Sequence, residues 1–136
     1  MVGYETFFTQ SQIGQTMPQK ILVIIHAPPY GSERCLSALR VASALAAKEG
    51  GDAPEVRVFL MSDATVLALP NQQDGGGNGL LKLVDELVAR NVPIVVCRTC
   101  ALARGLAELP LVRGARIGTL AELAESTLWS DKVITF

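Results

Sequence analysis

The sequence predicts an α/β domain with a mostly parallel five-stranded sheet and helices on both faces. Three observations lead to this prediction. Residues 21–25 form a continuous run of Ile, Leu and Val, which is typical of a parallel strand buried on both faces. Strand patterns then alternate with helical patterns along the chain, which favours parallel pairing through helical crossovers. Finally, 136 residues with 49% apolar content suit one hydrophobic core.

The predicted strands are short apolar runs separated by turns and helices. They begin near Lys20, Glu55, Val92, Arg116 and Lys132. After the first strand, Pro28 and Pro29 interrupt regular structure, and Ser32 can cap a helix. Leucine and alanine recur at helical spacing from there to Gly50-Gly51, a plausible helix stop.

The later crossovers are also predicted to be helical. A short helix is expected after the second strand, followed by a glycine-rich loop over residues 70–79 and an amphipathic helix from Leu80. Another short helix is expected to begin after Thr99. The residues Thr119 to Glu122 have the pattern of a capping box, which predicts the start of the last helix.

The N-terminal segment has a different character from the rest. Residues 1–17 are expected to form a disordered leader and residues 18–136 a single domain. The leader contains no Lys or Arg and no sustained apolar stretch, so it does not have the pattern of a secretory signal. Two alternatives are a translation start at Met17 and an arm that docks Phe7 and Phe8 on a neighbouring subunit.

Composition excludes several classes of function. The formal net charge is −1 and the sequence contains no run of basic residues, so we expect neither nucleic acid nor an anionic membrane surface as a partner. No apolar run is long enough to span a bilayer. Three cysteines are an odd count and too few for a disulfide scaffold, so a reducing compartment is predicted.

Two cysteines lie where function is expected in such a fold. Right-handed crossovers place the carboxyl ends of parallel strands at one edge, where open α/β sheets bind ligands. Cys97 ends a predicted strand there, and Cys100 lies in the first turn of the next helix, whose free amides favour a thiolate. Arg98 and Arg104 add positive charge, and residues 92–107 contain no carboxylate to oppose them. The segment therefore predicts a nucleophilic sulfur.

Other interpretations of the cysteines stay open. The pair could be small apolar fillers, or a redox dithiol of the thioredoxin kind. A zinc site would need Cys35 and His26 as further ligands, but structural zinc sites usually use two close-spaced pairs, which the chain lacks. We therefore expect no bound metal and no cofactor, and we expect Cys35 to serve in packing.

The other loops at this edge supply candidate ligand-binding residues. His26 ends the first strand and is either a general base or a hydrogen-bonding partner of the proline loop. Asp63 ends the second strand and either binds a ligand or caps a helix. The remaining candidates for ligand contacts at the edge are Tyr30, Gly31, Ser32 and Thr99.

Several segments together resemble one known family. They are residues 26–32, 59–64, 97–105, 117–120 and 128–133. In combination they are similar to the DsrE/DsrF-like family, and closest to its YchN-like branch, over about Lys20 to Phe136. The resemblance implies a flavodoxin-like sheet, a cytoplasmic location, and ring-like homo- or hetero-oligomers built from trimers or hexamers.

The resemblance also implies a chemistry. Characterised members of the family take part in sulfur relay and carry a persulfide on a strand-end cysteine, a position that Cys97 occupies here. Cys100 does not correspond to a residue that those carriers require, although YchN-like chains tend to show both cysteines.

The function predicted from the sequence is that of a sulfur carrier or sulfurtransferase-like subunit. In this hypothesis Cys97 accepts the sulfur, Cys100 protects or resolves it, and Arg104 stabilises the thiolate. The expected partners are further copies of the chain, in a trimer or hexamer, and a protein that donates or accepts sulfur. The alternatives are a non-catalytic module for small-ligand binding or assembly, and a dithiol oxidoreductase that uses Cys97 and Cys100.

Overall fold

The strands form at the runs that the sequence predicts. The structure is a computed structural model that describes residues 17–73 and 79–136. Within these residues the strands are β1 (Lys20–Ile25), β2 (Glu55–Leu60), β3 (Ile94–Cys97), β4 (Ala115–Gly118) and β5 (Lys132–Thr135). They pair in the order β4-β3-β2-β1-β5, and every described pair is parallel. The predicted α/β class and parallel five-stranded sheet are confirmed.

The described helices occupy the crossovers between strands. They are α1 (Arg34–Ala46), a 3₁₀ helix (Ser62–Ala68), α2 (Leu80–Ala89), α3 (Arg98–Ala103) and α4 (Leu120–Trp129). The predicted cap of the last helix is present, since the Thr119 hydroxyl accepts a hydrogen bond from the Glu122 amide at 3.2 Å. Ser32 does not cap α1, because the helix begins two residues later. Its hydroxyl accepts from the Arg34 amide at 3.4 Å instead.

The order of the strands determines which face each helix covers. The chain proceeds in one direction across the sheet from β1 to β4 and then returns to place β5 on the other side of β1. Because crossovers between parallel strands are right-handed, the reversal places α4 on the opposite face from α1 and α2. The expectation of helices on both faces follows from this topology.

The two faces hold separate apolar clusters. The larger cluster, here called the first face, combines inward residues such as Ile21 and Val23 of β1 with the buried sides of α1 and α2. The smaller cluster, called the second face, is made by the alternate residues of the strands: Leu22, Ile24, Phe59, Val95 and Cys97. Since side chains alternate along a strand, one continuous apolar run supplies both clusters.

Some expectations fall where the structure gives no description. The leader predicted over residues 1–17 lies outside the described residues except for Met17, and residues 74–78 of the glycine-rich loop lie outside them as well. Among the helices that are described, none combines the length and the apolar content required to cross a membrane.

Candidate functional site

Cys97 occupies the junction between β3 and α3. It is the last residue of the strand and the N-cap of the helix, and it pairs in register with Gly118 of β4. Its sulfur accepts a hydrogen bond from the Cys100 amide, with a nitrogen–sulfur distance of 3.4 Å. This contact replaces the side-chain oxygen that usually caps a helix. It also explains why α3 begins at Arg98, one residue before Thr99 and so earlier than the sequence predicted.

Burial dominates the protonation of this thiol. Cys97 is only 1% exposed and belongs to the second-face cluster. Burial raises the pKa of Cys97 above its ordinary value, and the Cys100 side chain raises it further. The backbone amides of Cys100 and Thr99 act in the opposite direction but do not reverse the shift. The expectation of a lowered pKa is therefore wrong for the resting chain, because desolvation outweighs the helix start.

Arg104 is also engaged differently from the expectation. Its Nε and Nη2 atoms lie 3.0 and 2.9 Å from a carboxylate oxygen of Asp63, and its Nη1 donates to the Cys100 carbonyl at 3.1 Å. Residues 92–107 contain no carboxylate, yet β2 and β3 are neighbours, so the chain that follows β2 brings Asp63 beside Arg104. The guanidinium charge is thus opposed, which removes the predicted stabilisation of a Cys97 thiolate.

The structure brings five predicted site residues together at this junction: Cys97, Cys100, Arg104, Asp63 and Thr99. Cys100 is partly exposed and packs against the cluster that contains Cys97. Thr99 is exposed in the first turn of α3, and its backbone amide faces the Cys97 sulfur. Asp63 does not cap the 3₁₀ helix, whose N-cap is Met61 and has no side-chain hydrogen bond. Asp63 instead ties the start of the 3₁₀ helix to the end of α3 through Arg104.

The other predicted residues form a separate pocket. A cavity of about 840 Å³ lies at the carboxyl ends of β1 and β5, where the strand order reverses. It is lined by His26, Tyr30, Gly31, Ser32, Arg34 and Phe136, among others. Neither Cys97 nor Cys100 is among its described lining residues, because β2 separates β1 from β3. The candidate site therefore divides into a dithiol centre and a pocket at the reversal point.

Hydrogen bonds fix the loop that borders this pocket. The Tyr30 hydroxyl donates to the Gln72 side-chain carbonyl at 2.9 Å, and the Gln72 amide group donates to the Val66 and Leu69 carbonyls. The His26 amide donates to the Phe136 carbonyl at 2.8 Å. Sequence reasoning missed Gln72, because no local pattern links it to a tyrosine that precedes it by 42 residues.

Cys35 lies apart from the other two cysteines. It is fully buried in α1 and packs in the first-face cluster, whereas Cys97 belongs to the second face. Burial raises the pKa of Cys35 to about 11, so it is inert near neutral pH. The zinc alternative needs these cysteines to converge, and in the described part of the chain no three His, Cys, Asp or Glu side chains group closely enough to hold a metal ion.

Gly118 is a further residue of the site that the sequence does not indicate. A Cβ at this position would clash with the Val95 Cγ1 atom and lie 2.7 Å from a carboxylate oxygen of Glu122. That carboxylate is held by Arg116, whose Nη1 is 2.7 Å away. A side chain at this position would have to displace the short, branched Val95 side chain, so glycine lets β4 pack closely against β3 at the register position of Cys97.

These features define a class of protein: a parallel α/β domain with a cysteine at the end of a central strand, supported by the amide of a second cysteine. A sequence model of the DsrE/DsrF-like family matches residues 19–136, which is most of the chain. The chain therefore belongs to the DsrE/DsrF-like family.

Individual relatives agree with this assignment. The chain is 45% identical over 118 residues to protein YchN of Escherichia coli, covering 87% of this chain and 99% of the relative. It is 37% identical over 117 residues to an uncharacterized protein of Methanocaldococcus jannaschii, with 86% and 99% coverage. The crystal structure of YchN from E. coli superposes with a TM-score of 0.81 over 87% of this chain and 99% of that one.

A more distant structure shares the fold. A protein of unknown function from Methanobacterium thermoautotrophicum superposes with a TM-score of 0.64 at 16% identity, covering 88% of this chain and 99% of that chain. At this identity the similarity supports the architecture alone.

Proposed function

We propose that the chain is a sulfur carrier that holds sulfane sulfur as a persulfide on Cys97. The observation that carries the proposal is the position of Cys97: it ends a central parallel strand, and its sulfur faces the Cys100 amide at 3.4 Å. Membership of the DsrE/DsrF-like family, which is linked to sulfur relay, supports the same chemistry. Burial suits a carrier, because a persulfide in an apolar site is shielded from reductants and competing thiols in solution.

The proposed chemistry needs no metal or cofactor. A sulfur atom passes from a donor persulfide to a cysteine thiolate, and the donor leaves as a thiol after taking up a proton. The sulfur bound to Cys97 is then attacked by the thiolate of an acceptor protein, which regenerates the Cys97 thiol. No electrons are gained or lost overall, since the sulfane sulfur only changes its carrier.

The test is the retention of sulfur after the donor is removed. The unmutated protein, Cys97→Ser and Cys35→Ala are treated with glutathione persulfide, washed with glutathione to strip sulfur from exposed thiols, desalted and weighed by intact mass spectrometry. We expect the unmutated protein and Cys35→Ala to retain one extra sulfur atom that a reductant removes, and Cys97→Ser to lose this retention. Cys35→Ala is the matched control because its thiol is buried on the other face of the sheet.

Other results would change the assignment. Equal retention by Cys97→Ser and the unmutated protein overturns the sulfur-carrier proposal. A loss of two hydrogens that joins Cys97 to Cys100 favours the dithiol oxidoreductase instead. Absence of both mass changes leaves the binding-module alternative.

One observation favours that alternative as a second candidate. The cavity of about 840 Å³ lies where the strand order reverses, which is where open α/β sheets bind their ligands. His26, Tyr30 and Arg34 give it ring and guanidinium groups that can orient a small polar molecule. A metabolite library screened by thermal shift against the unmutated protein and Arg34→Ala tests this role. A ligand that stabilises only the unmutated protein supports it.

The proposal extends to assembly and location. We propose a homo-oligomer, a trimer or hexamer, that exchanges sulfur with a donor or acceptor protein in the cytoplasm, where thiols stay reduced. Exposed apolar side chains on α4 and β5 support the assembly, since Leu128 is 87% exposed and Val133 is 42% exposed. Light scattering at micromolar concentration measures the mass of the particle, and a monomer would contradict this part of the proposal.

A further inference from the structure

The two thiols of the dithiol centre differ in their access to solvent. Cys97 is 1% exposed and belongs to the second-face cluster, whereas Cys100 is partly exposed in the first turn of α3. The neighbours of Cys100 one turn further along the helix surface, Ala103 and Arg104, are both exposed. A donor that approaches from solvent therefore meets the sulfur of Cys100 before that of Cys97.

The ionisation of Cys97 points in the same direction. A thiol with a raised pKa is seldom a thiolate at neutral pH, and the thiolate is the form that attacks a donor. The intrinsic nucleophilicity of a thiolate, however, rises with the pKa of its thiol. Cys97 is therefore poorly suited to capture a donor from solution but well suited to attack a sulfur held next to it.

We propose that sulfur enters through Cys100 and is handed to Cys97 within the same chain. This inference rests on the proposed sulfur-carrier function and reverses the roles that the sequence predicted. Cys100 is the receiving thiol and Cys97 the storage thiol, so the buried position is filled without opening the core. The contact between the Cys100 amide and the Cys97 sulfur keeps the two residues adjacent, which gives the second step a high effective concentration.

The two steps balance in atoms and electrons. In the first step the Cys100 thiol loses its proton, and the resulting thiolate attacks the outer sulfur of a donor R–S–SH. The donor S–S bond breaks, and R–S⁻ leaves and takes up that proton. In the second step the Cys97 thiol loses its proton, and the resulting thiolate attacks the outer sulfur of Cys100–S–SH. That S–S bond breaks, and the Cys100 thiolate that leaves takes up the proton released by Cys97. The products are Cys97–S–SH and Cys100–SH, and neither an oxidant nor a reductant is consumed.

The sequence allows the position of the sulfur to be followed directly. Trypsin cleaves after Arg98, so Cys97 and Cys100 fall in different peptides, residues 91–98 and 99–104. The protein is mixed with glutathione persulfide, quenched with an alkylating reagent at successive times and digested. The relay predicts that the extra sulfur appears first in peptide 99–104 and later in peptide 91–98.

Variants separate the relay from direct loading. Cys100→Ser should slow the arrival of sulfur at Cys97 by about tenfold or more, because the remaining thiol is buried. Cys97→Ser should show sulfur on Cys100 at early times, and a wash with glutathione should remove it, because the outer sulfur of this partly exposed persulfide passes to the glutathione thiol. Cys100→Ala removes the same thiol without introducing the serine hydroxyl and should slow loading in the same way. Cys35→Ala is the control and should load sulfur at the rate of the unmutated protein.

Each remaining outcome contradicts a different statement. If Cys100→Ser and Cys100→Ala load Cys97 as fast as the unmutated protein, the relay is wrong while the carrier function stands. If a Cys97–Cys100 disulfide forms with release of sulfide, Cys100 consumes the stored sulfur and the proposed direction of transfer is wrong. If no sulfur is retained by the unmutated protein after desalting, the carrier function itself fails.

Discussion

The first face of the sheet is covered by α1, α2 and the 3₁₀ helix, whereas the second face is covered by α4. The helices of the first face bury many apolar side chains, including Leu39, Leu67 and Leu87. Helix α4, all of whose residues are described, buries none of them fully. The first face therefore supplies most of the hydrophobic stabilisation, while the second face holds the buried thiol under a thin cover. The comparison separates the part of the fold that sets stability from the part that is available for chemistry.

The largest difference in stability between the two faces is expected when a leucine is truncated on each. Leu39→Ala in α1 should lower the free energy of unfolding by about 2–5 kcal/mol, because Leu39 is 1% exposed and its loss leaves a cavity. Leu123→Ala in α4 should cost about 1 kcal/mol or less, since Leu123 is only partly buried. Both positions are helical, so helix propensity cancels between them. Urea unfolding measures both values, and equal losses would show that α4 contributes as much as α1.

A second test uses the buried thiol of the first face. Burial raises the pKa of Cys35 from 9.0 to about 11. The folded chain thus keeps this proton in a range where the unfolded chain releases it, so stability falls as pH rises. The contribution is fully present below about pH 9 and is lost by about pH 11, amounting to about 2–3 kcal/mol.

The control for this effect is Cys35→Ala, which has no thiol to titrate. Urea unfolding of both proteins at a series of pH values isolates the difference between them. If the two curves run parallel from pH 8 to about pH 11, burial of Cys35 has no effect on its ionisation.

A third prediction, with a smaller expected effect, tests how closely the second face is packed. Gly118→Ala should destabilise the protein by about 1–3 kcal/mol, because the new Cβ would meet Val95 and the Glu122 carboxylate. Adding Val95→Ala should recover part of this loss by removing the clash. Gly51→Ala is the matched control, since a Cβ there meets nothing within 4 Å. Chemical denaturation of the four proteins decides whether the second face is closely packed beside Cys97, and an unchanged Gly118→Ala would argue that it is not.

Much of the fold could be predicted because the deciding signals are local. The strand runs, the Thr119 capping box and the strand-end position of Cys97 each depend on residues that are adjacent in sequence. The same holds for the contact between Cys97 and Cys100, which lie one helical turn apart. A single sequence contains these patterns, since periodicity and capping act over a few residues.

The electrostatics of the site could not be predicted in the same way. The Asp63–Arg104 pair joins residues 41 positions apart, and it forms because β2 and β3 are neighbours in the sheet. The separation of His26 from Cys97 follows from the same strand order, which places β2 between them. Both facts depend on tertiary neighbours, which also determine that burial, rather than the helix start, controls the pKa of Cys97.

The pairing of β1 with β5 has a consequence for how the chain folds. The Lys20 amide donates to the Asp131 carboxylate at 2.9 Å, and the Asp131 amide donates to the Lys20 carbonyl at 2.7 Å, across 111 residues of sequence. Contacts between residues so far apart in sequence have the largest entropy cost of loop closure. We therefore expect this pairing to form late in folding. Until β5 is in place, the outer edge of β1 has unpaired amides and carbonyls that can recruit a strand from another molecule. Refolding at high concentration should therefore lose yield to aggregation through β1.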